Sequence, residues 1–464
     1  MHFLSFTFLS LLALAYARPI ARLQPGADTI AQSTISARQS NSTSNPKYVV
    51  AHHMVGNTFP YTADNWSADI ALAHSAGIDG FALNVGSDEW QPQRVADAYT
   101  AAQKFGPDFK LFLSFDMSAL PCTTADNANT LRTYITTYSS HPNQLKYDGK
   151  VFASTFAGES CKFGQGSVAQ GWSSQFTQHP DLTGANAVYF APSFFVDPST
   201  FGTFNGVMDG DFNFNSGWPI TLTTASAQSV VSGLGATLHN GGKRAYMAAV
   251  SPWFFTHYSP QTFNKNFIYL ADSHLYPTRW ANLVAARDKI DLVEVVTWND
   301  YGESHYIGPI EGAQPNSQAW VDGLNHTGWL DMTSYFATAY KTGSYPAITK
   351  DKIYLWSRTH PRDADANDPV GKPSNFELTQ DQLWAVVMTT APATVTLSTS
   401  ATSSQTFNVP AGLSKLSMPI TAGGTMKGVI SRNGQDVVTL QPDGFQFNGS
   451  PASYNYNAFV AFSQ

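Results

Sequence analysis

One rhythm recurs between Lys47 and about Tyr345, and it constrains the fold more than any other feature of the chain. A short β-branched or aromatic run is followed by a polar or glycine-rich corner and then by a stretch of helical character. Eight runs read as strands: Tyr48–Val55, Gly80–Val85, Leu111–Phe115, Val151–Phe156, Ala187–Pro192, Val207–Phe212, Ala245–Val250 and Leu292–Trp298. The sixth is the least strand-like, because it contains Asp209, Gly210 and Asp211. Between strands, Asn65–Ala76 and Gln93–Phe105 read as helices. Strands alternating with helices call for parallel pairing through crossovers. Eight such units predict a (β/α)8 TIM barrel over residues 47–345, with an open doubly wound sheet as the alternative. No Gly-x-Gly-x-x-Gly follows the first strand, which counts against a dinucleotide site. A barrel takes roughly 250 residues, so a chain of 464 has room for a second domain.

Beyond Tyr345 the rhythm changes. Leu383–Met388, Thr394–Leu397, Gln405–Val409, Gly428–Ile430, Val437–Leu440 and Tyr454–Phe462 are short, separated by turn residues and free of helical period. Residues 346–464 are therefore expected to form a smaller all-β sandwich. Trp356 and Trp384 suit its core better than a carbohydrate-facing surface. At the other end, the apolar run Phe3–Tyr16 closes on Ala15-Tyr16-Ala17, the small-residue pattern a signal peptidase accepts, so residues 1–17 read as a signal peptide. That run is too short to span a bilayer, and no later stretch reaches about 20 apolar residues. Residues 18–46 are rich in Ser, Thr, Ala and Gln without period, and read as a flexible leader or pro-segment. Sequons at Asn41, Asn65 and Asn325 agree with a secreted glycoprotein, while Asn448 is weakened by Pro451. In an oxidising compartment the two cysteines, Cys122 and Cys161, are expected to form one disulfide between adjacent loops.

Charge narrows the partners. Charged residues make up 13%, the net charge is −7, and there is no basic run, so nucleic acid is not expected as a partner. A weakly charged, aromatic-rich surface suits a neutral polyhydroxylated ligand acting on a monomer. No Cys/His spacing matches a zinc site, and no cofactor or metal is expected.

In a parallel barrel the chemistry sits at the C-terminal ends of the strands. The segments there hold His52, His53 and Asn57 after the first strand, Asn84 after the second, Asp116 after the third, Glu159 after the fourth and Trp253 after the seventh. The eighth runs into Trp298-Asn299-Asp300-Tyr301-Gly302-Glu303-Ser304-His305. Asp300 and Glu303 are two carboxylates among aromatic neighbours. Glycoside hydrolysis commonly needs such a pair, one carboxyl as acid and one as base or nucleophile. Asp116 and Glu159 are the alternatives for either role. Asp300 and Glu303 also fit a helix cap and a solvated first turn. His52, His53, Asn84, Trp253, Trp298, Asn299 and Tyr301 are candidates for sugar contacts, with burial in the core as the competing role for the tryptophans and histidines.

Four segments together resemble the fungal α-1,3-glucanases, also called mutanases, of glycoside hydrolase family 71. They are Tyr48-Val49-Val50-Ala51-His52-His53-Met54-Val55-Gly56-Asn57, Gly80-Phe81-Ala82-Leu83-Asn84-Val85-Gly86, Ser114-Phe115-Asp116 and Thr297-Trp298-Asn299-Asp300-Tyr301-Gly302-Glu303-Ser304. The last is the most specific. The resemblance implies hydrolysis of α-1,3-glucan with inversion, no required metal, and catalysis by Asp300 and Glu303. An inverting pair holds its carboxyl groups about 6.5–9.5 Å apart, more than the roughly 5–6 Å between Cβ atoms on one helical turn. The segment is therefore expected to be an extended or irregular loop, with Glu303 as acid and Asp300 as base. Another barrel glycosidase acting on a different glycan, or a non-catalytic wall protein, are the competing readings.

Overall fold

The apolar runs become eight parallel strands, each almost wholly buried, as expected where both faces of a sheet are covered. They are β1 Tyr48–Met54, β2 Gly80–Val85, β3 Lys110–Asp116 and β4 Lys150–Phe156, then β5 Val188–Phe190, β6 Gly210–Asn213, β7 Ala245–Val250 and β8 Leu292–Val295. The computed structural model describes residues 28–29, 46–218 and 245–464. The expected signal peptide, the Asn41 sequon and most of the 18–46 leader lie outside the described residues. The hydrogen-bonded order is β5-β4-β3-β2-β1-β8-β7-β6, with the short antiparallel strand Lys146–Tyr147 beside β4. The sheet curls on itself. Its end strands share no ladder, but Asp209 N–H donates to Phe190 O at 2.8 Å and Phe212 N–H to Pro192 O at 3.0 Å.

Helices cover the outside of the curl where the sequence supplies a cap and an apolar stripe. Thr62 caps the helix Ala63–Ser75 in a reciprocal box with Asn65, and Trp66, Asp69, Ile70 and Ala73 turn inward at helical spacing. The alternation is irregular further on. Only a 3-10 segment, Pro198–Phe204, separates β5 from β6. β8 is shorter than the predicted Leu292–Trp298, because Val296–Trp298 leave the ladder to turn into the site loop.

Beyond residue 345 two antiparallel sheets follow. β9 Lys352–Arg358, β10 Gln382–Thr389, β13 Gly412–Pro419 and β16 Ala458–Phe462 form one; β11 Ala393–Ser398, β12 Ser404–Val409, β14 Lys427–Arg432 and β15 Gln435–Leu440 form the other. Their orders are β13-β10-β9-β16 and β12-β11-β14-β15. The leader is not wholly structureless: Asp28–Thr29 pair with Lys415 and Ser414 on the edge of β13. Ile353, Leu355, Leu383, Ala385 and Val387 meet Val395, Leu397, Phe407 and Ile430 in a core between the sheets. The alternate residues of β9 and β10, Tyr354, Trp356, Trp384 and Val386, join the larger core under the parallel sheet. The two halves thus share apolar surface, and Trp356 and Trp384 are core residues. Buried Arg358 pairs with Asp272 across the junction at 2.6 and 2.9 Å, and stacks over Trp253 at 4.6 Å.

Candidate active site

Side chains alternate across a strand, and on β1 this sends the two histidines apart. His53 faces the helix layer. It is fully buried, stacks on Trp66 at 4.5 Å, and its Nε2 lies 3.1 Å from Asp69 Oδ2, which also accepts from Tyr61 at 3.0 Å. His53 therefore ties β1 to that helix and does not reach the mouth of the sheet. His52 points inside the curl, where its Nδ1 lies 2.6 Å from Glu294 Oε1 and its ring meets the edge of Phe214 at 5.3 Å. Glu294 is a fully buried carboxyl in the middle of β8, with Oε2 unpartnered among the described residues. Burial pushes its carboxyl up, against the pull of His52.

The exit from β8 is fixed by its own conspicuous residues. Trp298 N–H donates to His52 O at 2.7 Å, and the indole packs on Phe81 at 5.2 Å. Asn299 clamps β1: its Oδ1 accepts from Met54 N at 2.7 Å, its Nδ2 donates to Met54 O at 3.1 Å, and its carbonyl accepts from Asn57 Nδ2 at 2.9 Å. Tyr301 O–H donates to Pro309 O at 2.9 Å and accepts from Glu311 N at 2.8 Å. All three are fully buried, so they hold the loop that carries the carboxylates. Gly302 lies so close to Tyr258 that an added Cβ would fall 2.2 Å from its hydroxyl. Ser304 then takes a left-handed conformation, and the chain doubles back so that His305 O accepts from Thr297 N at 2.8 Å.

This reversal puts His305 beneath both carboxylates. Its Nε2 lies 3.2 Å from Asp300 Oδ2 and 3.4 Å from Glu303 Oε2. Lys265, from the loop of the hairpin Phe255–His257/Asn266–Ile268, places Nζ 3.0 Å from Glu303 Oε1. The imidazole is buried, whereas the Asp300 and Glu303 side chains are 17% and 20% exposed and Lys265 is more exposed still, so solvent reaches the carboxylates and the ammonium but not the ring. Of the extended or irregular loop expected, the segment is the irregular kind: one 3-10 turn, Tyr301–Glu303, between a non-helical Asp300 and a left-handed Ser304. One oxygen of each carboxylate and the His305 nitrogen lie within 4.8 Å of one another, a set that can bind a cation. The ammonium already on Glu303 would oppose one there.

Electrostatics separate the two carboxyls. Burial pushes Asp300 up, but the imidazole of His305 beside it, with Lys265 and His52 behind, outweighs that and holds the group below the usual carboxylate range. Glu303 holds the Lys265 ammonium above its ordinary value, with smaller contributions from Asp300 and Asp116. Burial and then the charges of Asp300 and Glu303 raise the Tyr258 phenol.

The other expected residues distribute around this centre. Asp116 ends β3 and accepts from Ser118 N at 3.0 Å, and its charge reaches Lys265. Asn84 is buried at the end of β2, in register with Met54 and Ser114. Glu159 accepts from Phe195 N at 3.3 Å in the loop after β4. Trp253 is buried at the junction of the two halves, its indole donating to Tyr456 O at 3.0 Å. Cys122 and Cys161 form a disulfide with a Cα separation of 5.2 Å, linking the loops after β3 and β4. Lys265 and His305 belong to the cluster, and Glu294 to the buried pair with His52, although sequence reasoning did not single them out. Glu294, a lone acid in an apolar strand, was the one visible signal.

Comparison with known proteins gives the family. The profile of glycosyl hydrolase family 71 matches residues 45–464. The glucan endo-1,3-alpha-glucosidase of Schizosaccharomyces pombe is 40% identical over 90% of this chain and 95% of its own length. A mutanase of Penicillium rubens is 32% identical over 90% and 89%, and the ascus wall endo-1,3-alpha-glucanase of S. pombe is 32% identical over 89% and 96%. Among solved structures, the family 99 endo-alpha-mannosidase of Bacteroides thetaiotaomicron in complex with bis-tris propane superposes with a TM-score of 0.50 at 12% identity, covering 64% of this chain and 98% of its own, a likeness of fold alone. With the family profile spanning both halves and the acidic cluster at the strand ends, the chain belongs to glycosyl hydrolase family 71.

Proposed function

We propose that this glycoside hydrolase cleaves α-1,3-glucosidic bonds of α-1,3-glucan, with Asp300 and Glu303 as the reacting pair. The observation that carries this reading is the convergence of both carboxylates on buried His305 at the strand ends, with Asp300 held ionised. The names of the relatives supply the substrate. Asp300, as base, takes a proton from water while the water oxygen bonds to C1. Glu303, as acid, donates its proton to the glycosidic oxygen as the C1–O bond breaks, and the new reducing end is the β anomer. Lys265 orients Glu303, and His52, Asn84, Asp116 and Glu159 line the approach. The hydrogen bonds between β5 and β6 support reading the curled sheet as a closed (β/α)8 barrel over residues 47–345. The shared core of β9–β16 supports a β-sandwich over 346–464. The relatives' names support action on polysaccharide outside the cell or in the wall; we read the enzyme as a monomer.

One observation favours a second stereochemical reading. Carboxylate oxygens within 4.8 Å are nearer the roughly 5–5.5 Å of retaining pairs than the wider inverting spacing. Incubation with α-1,3-glucan, reading product size and the anomer first released, tests both. Soluble gluco-oligosaccharides with a β reducing end support the proposal; an α reducing end transfers the nucleophile role to one of the pair; no products at all refutes the substrate.

A further inference from the structure

Six large apolar side chains are more than a third exposed among the described residues: Phe59, Leu72, Phe105, Phe195, Phe263 and Val437. Leu72 and Phe105 lie on helices, and Val437 lies on β15. The other three are phenylalanines on segments leaving the C-terminal ends of β1, β5 and β7, the end from which β8 delivers Asp300 and Glu303. Their exposures are 61%, 38% and 56% for Phe59, Phe195 and Phe263. Each is braced by a second aromatic ring: Phe59 by Trp90 at 5.3 Å, Phe195 by Phe156 at 5.2 Å and Phe263 by Tyr258 at 4.7 Å.

Phe263 stands nearest the chemistry. Its loop is closed by Tyr258 N–H donating to Lys265 O at 2.6 Å and Asn264 N–H to Ser259 O at 3.0 Å. Lys265, two residues on, touches Glu303 at 3.0 Å, and the Tyr258 beneath Phe263 feels both carboxylates. A flat ring is thus held at the surface beside the reacting pair, with one edge supported and most of its area in water. Leaving such area exposed is unfavourable unless something covers it. The C–H face of a pyranose ring is apolar and flat, and an aromatic face buries it without demanding a hydrogen-bond register.

We propose that Phe263 is a stacking platform for a glucosyl unit next to the one being cleaved, with Phe195 and the Phe59–Trp90 pair contacting units further along the same chain. This rests on the functional reading above and adds where the polymer lies. The test is KM and kcat on soluble α-1,3-linked gluco-oligosaccharides of increasing length. Phe263→Ala is expected to raise KM about tenfold, the scale of one aromatic contact, with kcat little changed and the melting temperature unmoved. Phe263→Trp should restore KM, whereas Phe263→Leu, which still packs on Tyr258, should not. Phe105→Ala, equally apolar but on the outer helix, should match the wild type. Wild-type hydrolysis with an unchanged KM for Phe263→Ala overturns this inference alone. A wild-type protein that hydrolyses none of these oligosaccharides overturns the functional reading and this inference with it.

Discussion

At the scale of single residues, His305 is the group on which the site turns. Its Nε2 lies within 3.4 Å of both Asp300 and Glu303, so it meets the two carboxyl groups at one point. Removing it leaves burial as the main influence on Asp300, and burial favours the protonated acid. His305→Asn is therefore expected to move the acidic limb of kcat/KM to higher pH, since that limb reports the base of the free enzyme. An unmoved limb would mean another group is the base. Glu294 offers a second check. His52 and Glu294 are both buried, so truncating one partner strands the other in the interior. Glu294→Ala should lower the unfolding free energy by about 3–5 kcal/mol in denaturant titration, whereas Glu294→Gln, which keeps a hydrogen bond to His52, should cost much less.

At the scale of elements, the loops at the strand ends depend on a few ties. The Cys122–Cys161 disulfide closes a separation of 39 residues between the loops after β3 and β4, beside Asp116 and Glu159. Cys122→Ser is expected to destabilise by about 3–4 kcal/mol on the chain-entropy account, read as a lowered denaturation midpoint; a midpoint equal to the wild type would show that the loops are held by packing alone. Which elements were legible in sequence follows from how they are buried. β1–β8 are covered on both faces and read as apolar runs. β9 is buried on both faces like β10, but its apolar run is only Ile353–Trp356, bounded by Lys352 and by Ser357-Arg358, and so was missed. β13 was missed because Ser414 and Lys415 interrupt Leu413, Leu416 and Met418. In the site, Asp300 and Glu303 were visible because they adjoin a strand end. Lys265 was not, since Asn264-Lys265-Asn266 reads as an ordinary polar turn and only the hairpin brings it to Glu303. Trp253, Trp298, Asn299 and Tyr301 lay in the right segments, but they bear the scaffold's load, and no sequence pattern separates those duties.

At the scale of the whole molecule, the curled sheet and one of the two antiparallel sheets share a core. Several buried histidines sit where the second half meets its surroundings, His274 and His360 among them. His274 Nε2 reaches Ala385 O and Leu416 O at 3.1 and 2.9 Å. His360 Nδ1 reaches Pro361 O at 2.8 Å while its Nε2 accepts from Asn455 N at 3.0 Å, an arrangement that needs the neutral ring. Burial lowers both from 6.5 to about 4. Between those values the unfolded chain binds more protons, so stability is complete above about pH 6.5 and declines as pH falls through 4, by at most about 1.4 kcal/mol per pH unit for each ring. Denaturation midpoints from pH 7 to pH 4 should show this decline and a flatter one for His360→Asn; parallel curves would contradict it. The central claim, that this fold brings Asp300 and Glu303 together to cut α-1,3-glucan, is tested most directly by the hydrolysis rate of Asp300→Asn on that polymer. The account predicts a loss of about 10²–10⁴-fold at an unchanged melting temperature, with Asp116→Asn and Glu159→Gln far less affected. Near wild-type activity in Asp300→Asn, with activity abolished in either control, would contradict it.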